Sequence, residues 1–107
     1  MLNFKNKNIL ITGASGGIGN EIVKKFVSLG ANVLGTGTKI EKLDELKKKY
    51  PNIKVKKFDI AKHSEIEEFI DNVSLELDGI DILINNAGTN VDNLSLRMKD
   101  DDWKKVI

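Results

Sequence analysis

The sequence predicts a doubly wound α/β fold, with parallel strands in the order 3-2-1-4 and helices on both faces. Three observations predict it. Short continuous apolar runs recur at Ile9-Leu10-Ile11, Val33-Leu34 and Ile82-Leu83-Ile84, as strands buried on both faces require. Segments of helical periodicity separate these runs. The glycine-rich stretch from Gly13 to Gly19 lies where a first strand hands over to a first helix. With 107 residues, 40% of them hydrophobic, and one proline, the chain makes one core and one domain, residues 1–107.

The first strand, Ile9 to Ile11, closes at Thr12-Gly13. Ile18, Ile22, Val23, Phe26 and Val27 then recur at helical spacing, and Gly30 stands where a left-handed cap ends a helix. Val33-Leu34 is the second strand, followed by Gly35-Thr36-Gly37-Thr38. Ile40, Leu43 and Leu46 stripe a second helix, for which Thr38 and Glu41 have capping-box spacing. Pro51-Asn52 breaks the chain before Ile53, Val55 and Phe58, a third strand whose alternation with lysines suits a sheet edge and which Asp59 closes. Ile66, Phe69, Ile70, Val73 and Leu77 step at i, i+3, i+4, i+7 and i+11, a third helix stopped at Gly79. The fourth strand, Ile82 to Ile84, runs into Asn85-Asn86-Ala87-Gly88. Asp100 to Ile107, acidic first and then carrying Trp103, Val106 and Ile107, reads as the start of another helix. With no fifth strand in the pattern, Ile82 to Ile84 are expected to present an unpaired apolar edge, a template for self-association.

Charge and composition narrow the function classes. Lys plus Arg total 17 and Asp plus Glu 16, a net charge of +1, which argues for neither a nucleic-acid nor a membrane partner. The absence of cysteine removes disulfides and thiolate metal sites. Met1 to Lys7 are too polar for a leader, so a cytoplasmic protein is expected. The run Asp100-Asp101-Asp102 has no histidine or cysteine near it and reads as charge favoured at a helix N-terminus, so no metal site is expected. The single histidine, His63, reads as a surface residue.

Chemistry is carried first by Thr12-Gly13-Ala14-Ser15-Gly16-Gly17-Ile18-Gly19. Gly13 permits a tight turn, Gly17 lets backbone approach a pyrophosphate, and Gly19 lets the helix pack close to the strand. The N–H groups at the helix start face the anion. The cofactor-binding set expected here is Gly13, Ala14, Ser15, Gly16, Ile18 and Gly19. A glycine-rich turn without a ligand is the alternative reading.

This glycine spacing resembles that of the short-chain dehydrogenase/reductase family, and Asn85-Asn86-Ala87-Gly88 resembles that family's N-N-A-G segment at the end of the fourth strand. The resemblance implies a partial Rossmann-type sheet, truncated before the fifth strand, that forms the N-terminal dinucleotide-binding part of one domain. It implies that Asn86, Ala87 and Gly88 border the nicotinamide ribose. It also implies that Asp59 and Ile60 meet the adenine, Asp59 by accepting from the amine. As an alternative, Asp59 simply caps the following turn. At the end of the second strand an acidic residue would hydrogen-bond the ribose 2′-hydroxyl of NAD(H). Gly37 stands there instead, followed by Thr38 and Lys39, so NADP(H) is expected over NAD(H). Gly16 departs from NADP-using relatives, which often have an arginine at that place. Lys39 has an alternative reading as an ordinary solvated lysine.

Within the family, Asp81 to Gly88, Asp92-Asn93-Leu94, Arg97-Met98-Lys99-Asp100 and Trp103 resemble the central segment of the beta-ketoacyl-acyl-carrier-protein reductases of fatty acid synthesis, and Asn3-Phe4 and Gly35-Thr36 look similar too. The resemblance implies NADPH-dependent reduction of a 3-oxoacyl thioester, carried on acyl carrier protein or coenzyme A, to the 3-hydroxyacyl product. It covers the whole chain but under half of the family's usual length. The family's catalytic tyrosine, with a lysine four residues on, has no match. The one tyrosine, Tyr50, is followed by Pro51 and Asn52 and reads as a helix-end packing residue. No catalytic residue is assigned, and the chain alone is expected to be inactive. Two classes stay open: part of a truncated or split reductase, completed by a C-terminal chain, or a stand-alone NADP(H)-binding module.

Overall fold

A computed structural model describes residues 3–86 and 95–98. The elements run β1 (Asn8–Thr12), α1 (Gly17–Ser28), β2 (Asn32–Gly37), α2 (Ile40–Lys49), β3 (Lys54–Lys57), α3 (His63–Leu77), β4 (Ile82–Asn85) and β5 (Ser95–Met98). The first four strands are parallel in the order β3-β2-β1-β4, with Thr12 beside Thr36 on one side and Asn85 on the other.

Alternation along the central strands explains why their runs are apolar throughout. Ile9, Ile11, Val33, Ile82 and Ile84 face one layer with Val23 of α1 and Leu46 of α2. Leu10, Leu34 and Leu83 face the other with Ile66, Ile70 and Val73 of α3. Each face is therefore buried by helices, as right-handed crossovers dictate. α1 ends where Gly30 takes φ 86°, and α3 where Asp78 and Gly79 take φ 62° and 104°, left-handed conformations that stop a helix.

Two expectations are corrected. The first concerns the cap of α2, which is Lys39 rather than Thr38 and carries no side-chain cap hydrogen bond. The Phe58 N–H donates to the Gly37 carbonyl at 2.9 Å, holding the end of β2 extended, and the helix accepts its first bonds at the Lys39 carbonyl. The second concerns the edge of β4, which is not unpaired. β5 lies antiparallel against it, from Ile82 opposite Met98 to Asn85 opposite Ser95. A parallel partner needs a crossover of about a dozen residues or more, whereas an antiparallel one needs only a short link, which the stretch 86–94 supplies. The expected helix from Asp100 lies outside the described residues.

Candidate functional site

Strand order reverses between β1 and β4, because successive strands leave β1 first toward β2 and later toward β4. Ligands of open α/β sheets bind in the crevice outside the carboxyl ends of the strands, at the point where the order reverses. Gly13, at φ 61°, turns the chain out of β1. Its carbonyl accepts from the Gly16 N–H at 3.3 Å and from Asn86 Nδ2 at 3.2 Å. The Thr12 hydroxyl donates to Asn85 Oδ1 at 2.8 Å and accepts from the Asn86 N–H at 2.9 Å. Two side chains thus brace the glycine loop against the end of β4. The structure brings Asn86 and the Gly13–Gly19 loop together; Ala87 and Gly88 lie outside the described residues.

The glycines of the loop do different work. A side chain on Gly19 would run into the Gly13 carbonyl oxygen and lie 2.8 Å from Ala14 Cα, so the close approach of α1 to β1 forbids one. A methyl on Gly17 would meet nothing within 4 Å, so nothing inside the fold demands glycine at that place. α1 starts at Gly17 with no side-chain cap on Gly16 and no acidic residue in its first turn, whereas α2 and α3 carry Glu41 and Glu65 there. Its first N–H groups, at the carboxyl end of β1, therefore have no partner within the helix and none elsewhere among the described residues. Ala14 is spent inside the fold: its side chain is fully buried and its N–H donates to the Thr36 carbonyl at 3.0 Å. Ile18 does not join the core stripe, which starts one turn later. It is 57% exposed at the rim of the loop. Ser15 reaches over the end of β2, where a side chain on Gly37 would come within 3.0 Å of its Oγ.

Beyond Ser15 an open groove of about 420 Å³ crosses the ends of β2 and β3, lined by Thr38, Lys57, Phe58, Asp59, Lys62 and Glu65. Thr38 and Asp59 are thereby brought to one place. Asp59 Oδ1 accepts from the Ala61 N–H at 3.0 Å, so one carboxylate oxygen shapes the turn. Ile60 is half-buried and packs on the α3 layer. Phe58, one of the lining residues, stacks on Phe69 with ring centroids 4.1 Å apart. The cations in the lining are Lys57 and Lys62, not the Lys39 that the sequence pointed to. Reading Lys57 required the β2–β3 register, in which it stands opposite Gly37, and no local pattern encodes that pairing.

Tyr50 ends α2 and packs against the layer formed with Leu46. His63 opens α3 and is exposed. Among the described residues no group of three or more His, Cys, Asp or Glu side chains is placed to hold a metal, and no helix is long and apolar enough to cross a membrane. Asp100 to Asp102 and Trp103 lie outside the described residues.

Comparison with known proteins adds independent findings. The family model for short chain dehydrogenase matches residues 7–107. The chain is 38% identical over 107 residues to the 3-oxoacyl-[acyl-carrier-protein] reductase FabG of Salmonella typhimurium, an alignment covering 99% of this chain and 44% of that protein. It is 36% identical over 108 residues to nodulation protein G of a Rhizobium species, covering 100% of this chain and 44% of that one. The solved short-chain dehydrogenase/reductase (glucose/ribitol dehydrogenase) from Brucella melitensis has a TM-score of 0.69 at 32% identity, covering 77% of this chain and 36% of its own. A short-chain type dehydrogenase/reductase from Mycobacterium ulcerans reaches a TM-score of 0.76 at 24% identity, covering 84% and 35%, a likeness of fold alone. The chain spans 44% of the length of the curated relatives it matches.

Proposed function

The chain belongs to the short-chain dehydrogenase family, and from that premise we propose that it forms the dinucleotide-binding part of an NADPH-dependent reductase of 3-oxoacyl thioesters. One observation carries the reading. The uncapped start of α1 lies at the carboxyl end of β1, beside the strand reversal, and Gly17 keeps its side-chain position empty there although the fold does not require it. Space beside free N–H groups at a helix N-terminus suits a pyrophosphate.

The residues then divide the work. The N–H groups at the start of α1 hold the pyrophosphate, and the Thr12, Asn85 and Asn86 network keeps the loop in the shape that presents them. Thr38 offers its hydroxyl to a ribose 2′-phosphate at the groove, and the second oxygen of Asp59 accepts from the adenine amine. Asn86, with Ala87 and Gly88, borders the nicotinamide ribose. When bound, the dinucleotide supplies the hydride. The substrate is a 3-oxoacyl group on acyl carrier protein or coenzyme A, the first of these being the carrier in the name of the Salmonella relative. Residues 1–107 carry no tyrosine except Tyr50, which packs on the core away from the crevice, so this polypeptide alone binds nucleotide and does not turn over.

Calorimetric titration of the 107-residue chain with NADPH and NADH tests the reading. Binding of NADPH in preference to NADH is expected. Equal affinities would remove the NADP(H) assignment, and failure of both to bind would overturn the dinucleotide reading itself.

A further inference from the structure

β3 carries three lysines, and the ladder sends them to opposite sides. Lys54 and Lys56 share a face and a partner: their ammonium groups lie 3.9 and 3.0 Å from the Glu76 carboxylate on α3. Lys57 is one residue further on and so belongs to the other face. It stands opposite Gly37, the last residue of β2, and among the described residues it has no anionic partner. It lines the groove with Thr38, the residue after Gly37, which is exposed and whose hydroxyl makes no hydrogen bond among the described residues. The glycine loop from Gly13 to Gly19 contributes no cation, and Lys39, which caps α2 through its backbone, is not in the groove lining.

We infer that Lys57, acting with the Thr38 hydroxyl, selects a 2′-phosphorylated adenosine in this groove, so that the discriminating cation comes from β3 and not from the glycine loop or from α2. The inference rests on the dinucleotide reading above and adds to it the residue that sets phosphate specificity. An ammonium and a hydroxyl beside one open space offer up to four donors to a terminal phosphate, and a charge-assisted bond to such a group is about twice as strong as a neutral one. Lys62 also lines the groove, as a second cation. Glu65 opposes both, and Asp59 is partly withdrawn because one of its oxygens is occupied by the Ala61 N–H. With two cations facing two carboxylates the groove has no net charge of its own, so selection depends on which cation the phosphate reaches.

The test uses the full 107-residue chain with two small probes, adenosine 2′,5′-bisphosphate and adenosine 5′-monophosphate, titrated at low ionic strength. The wild-type chain should favour the bisphosphate. Lys57→Gln should lower that preference by about fivefold to tenfold, Lys57→Arg should keep it, and Glu65→Gln should raise it. Lys57 is exposed, so the variants should melt with the wild type, which separates loss of selection from loss of fold. A preference that survives Lys57→Gln, or one that falls only in Lys39→Gln, overturns the assignment while leaving the dinucleotide reading in place. Equal binding of the two probes by the wild type does the same. If neither probe binds, the dinucleotide reading fails and this inference fails with it.

Discussion

Gly17 and Gly19, two residues apart at the start of α1, should respond oppositely to the same added methyl group. In Gly19→Ala the new carbon collides with the Gly13 carbonyl oxygen and stands 2.8 Å from both Ala14 Cα and Gly13 carbon, all of them backbone. No rotamer change relieves such a clash, so α1 must move away from β1 or the loop must open. Overpacking of this kind destabilises by about 1 to 3 kcal/mol, and backbone neighbours put this case toward the upper end. For a domain of this size the melting temperature should fall by roughly 10 to 20 °C. In Gly17→Ala the methyl meets nothing within 4 Å, and the backbone needs no left-handed φ. Replacing a helical glycine by alanine should leave the fold as stable or raise its stability by up to about 1 kcal/mol. That methyl would project toward the space assigned to the pyrophosphate, so NADPH affinity should fall even though the protein is no less stable. Thermal unfolding by circular dichroism, with NADPH titration of each folded variant, checks both halves. Gly19→Ala melting with the wild type would refute the packing account. Gly17→Ala binding NADPH as tightly as the wild type would refute the pyrophosphate site.

Further outcomes follow from the same geometry. Thr38→Asp should weaken NADPH binding and leave NADH binding intact or improved, measured by calorimetry, because it sets a carboxylate against the 2′-phosphate. The same change at Gly37 should instead disturb packing, since a side chain there meets Ser15 Oγ at 3.0 Å. Thr12→Val keeps the shape of the side chain but leaves Asn85 Oδ1 and the Asn86 N–H without their shared partner, which should destabilise the chain by about 1 to 3 kcal/mol in denaturant unfolding. The 107-residue chain should show no NADPH oxidation with an acetoacetyl thioester; turnover in a preparation free of host reductases would show that the proton donor is not where family resemblance puts it. A chain ending at Asn86 loses β5 and exposes the edge of β4, so it should elute from size-exclusion chromatography as larger species than the full chain.

The sequence by itself determined the α/β class and the seat of the glycine loop, and the order of the first four strands followed from the fold that the glycine motif resembles. The class and the seat each rest on a local signal: unbroken apolar runs can be satisfied only between two helix layers, and Gly13 and Gly19 mark positions where backbone turns left-handed or helix meets strand. Tertiary structure decided the rest. The groove is made by residues from β2, β3 and α3 that come together only through strand register, so Lys57 looks in the sequence like any lysine of an edge strand and gains its place from Gly37 across the ladder. Thr38 and Glu41 have the spacing of a capping box, yet a hydrogen bond from Phe58 keeps the end of β2 extended and moves the cap to Lys39. β5 returns antiparallel to β4 over a short link, a pairing that parallel-crossover logic does not anticipate. Periodicity reports which face of an element is buried, and it carries no information about which distant backbone will claim a free sheet edge.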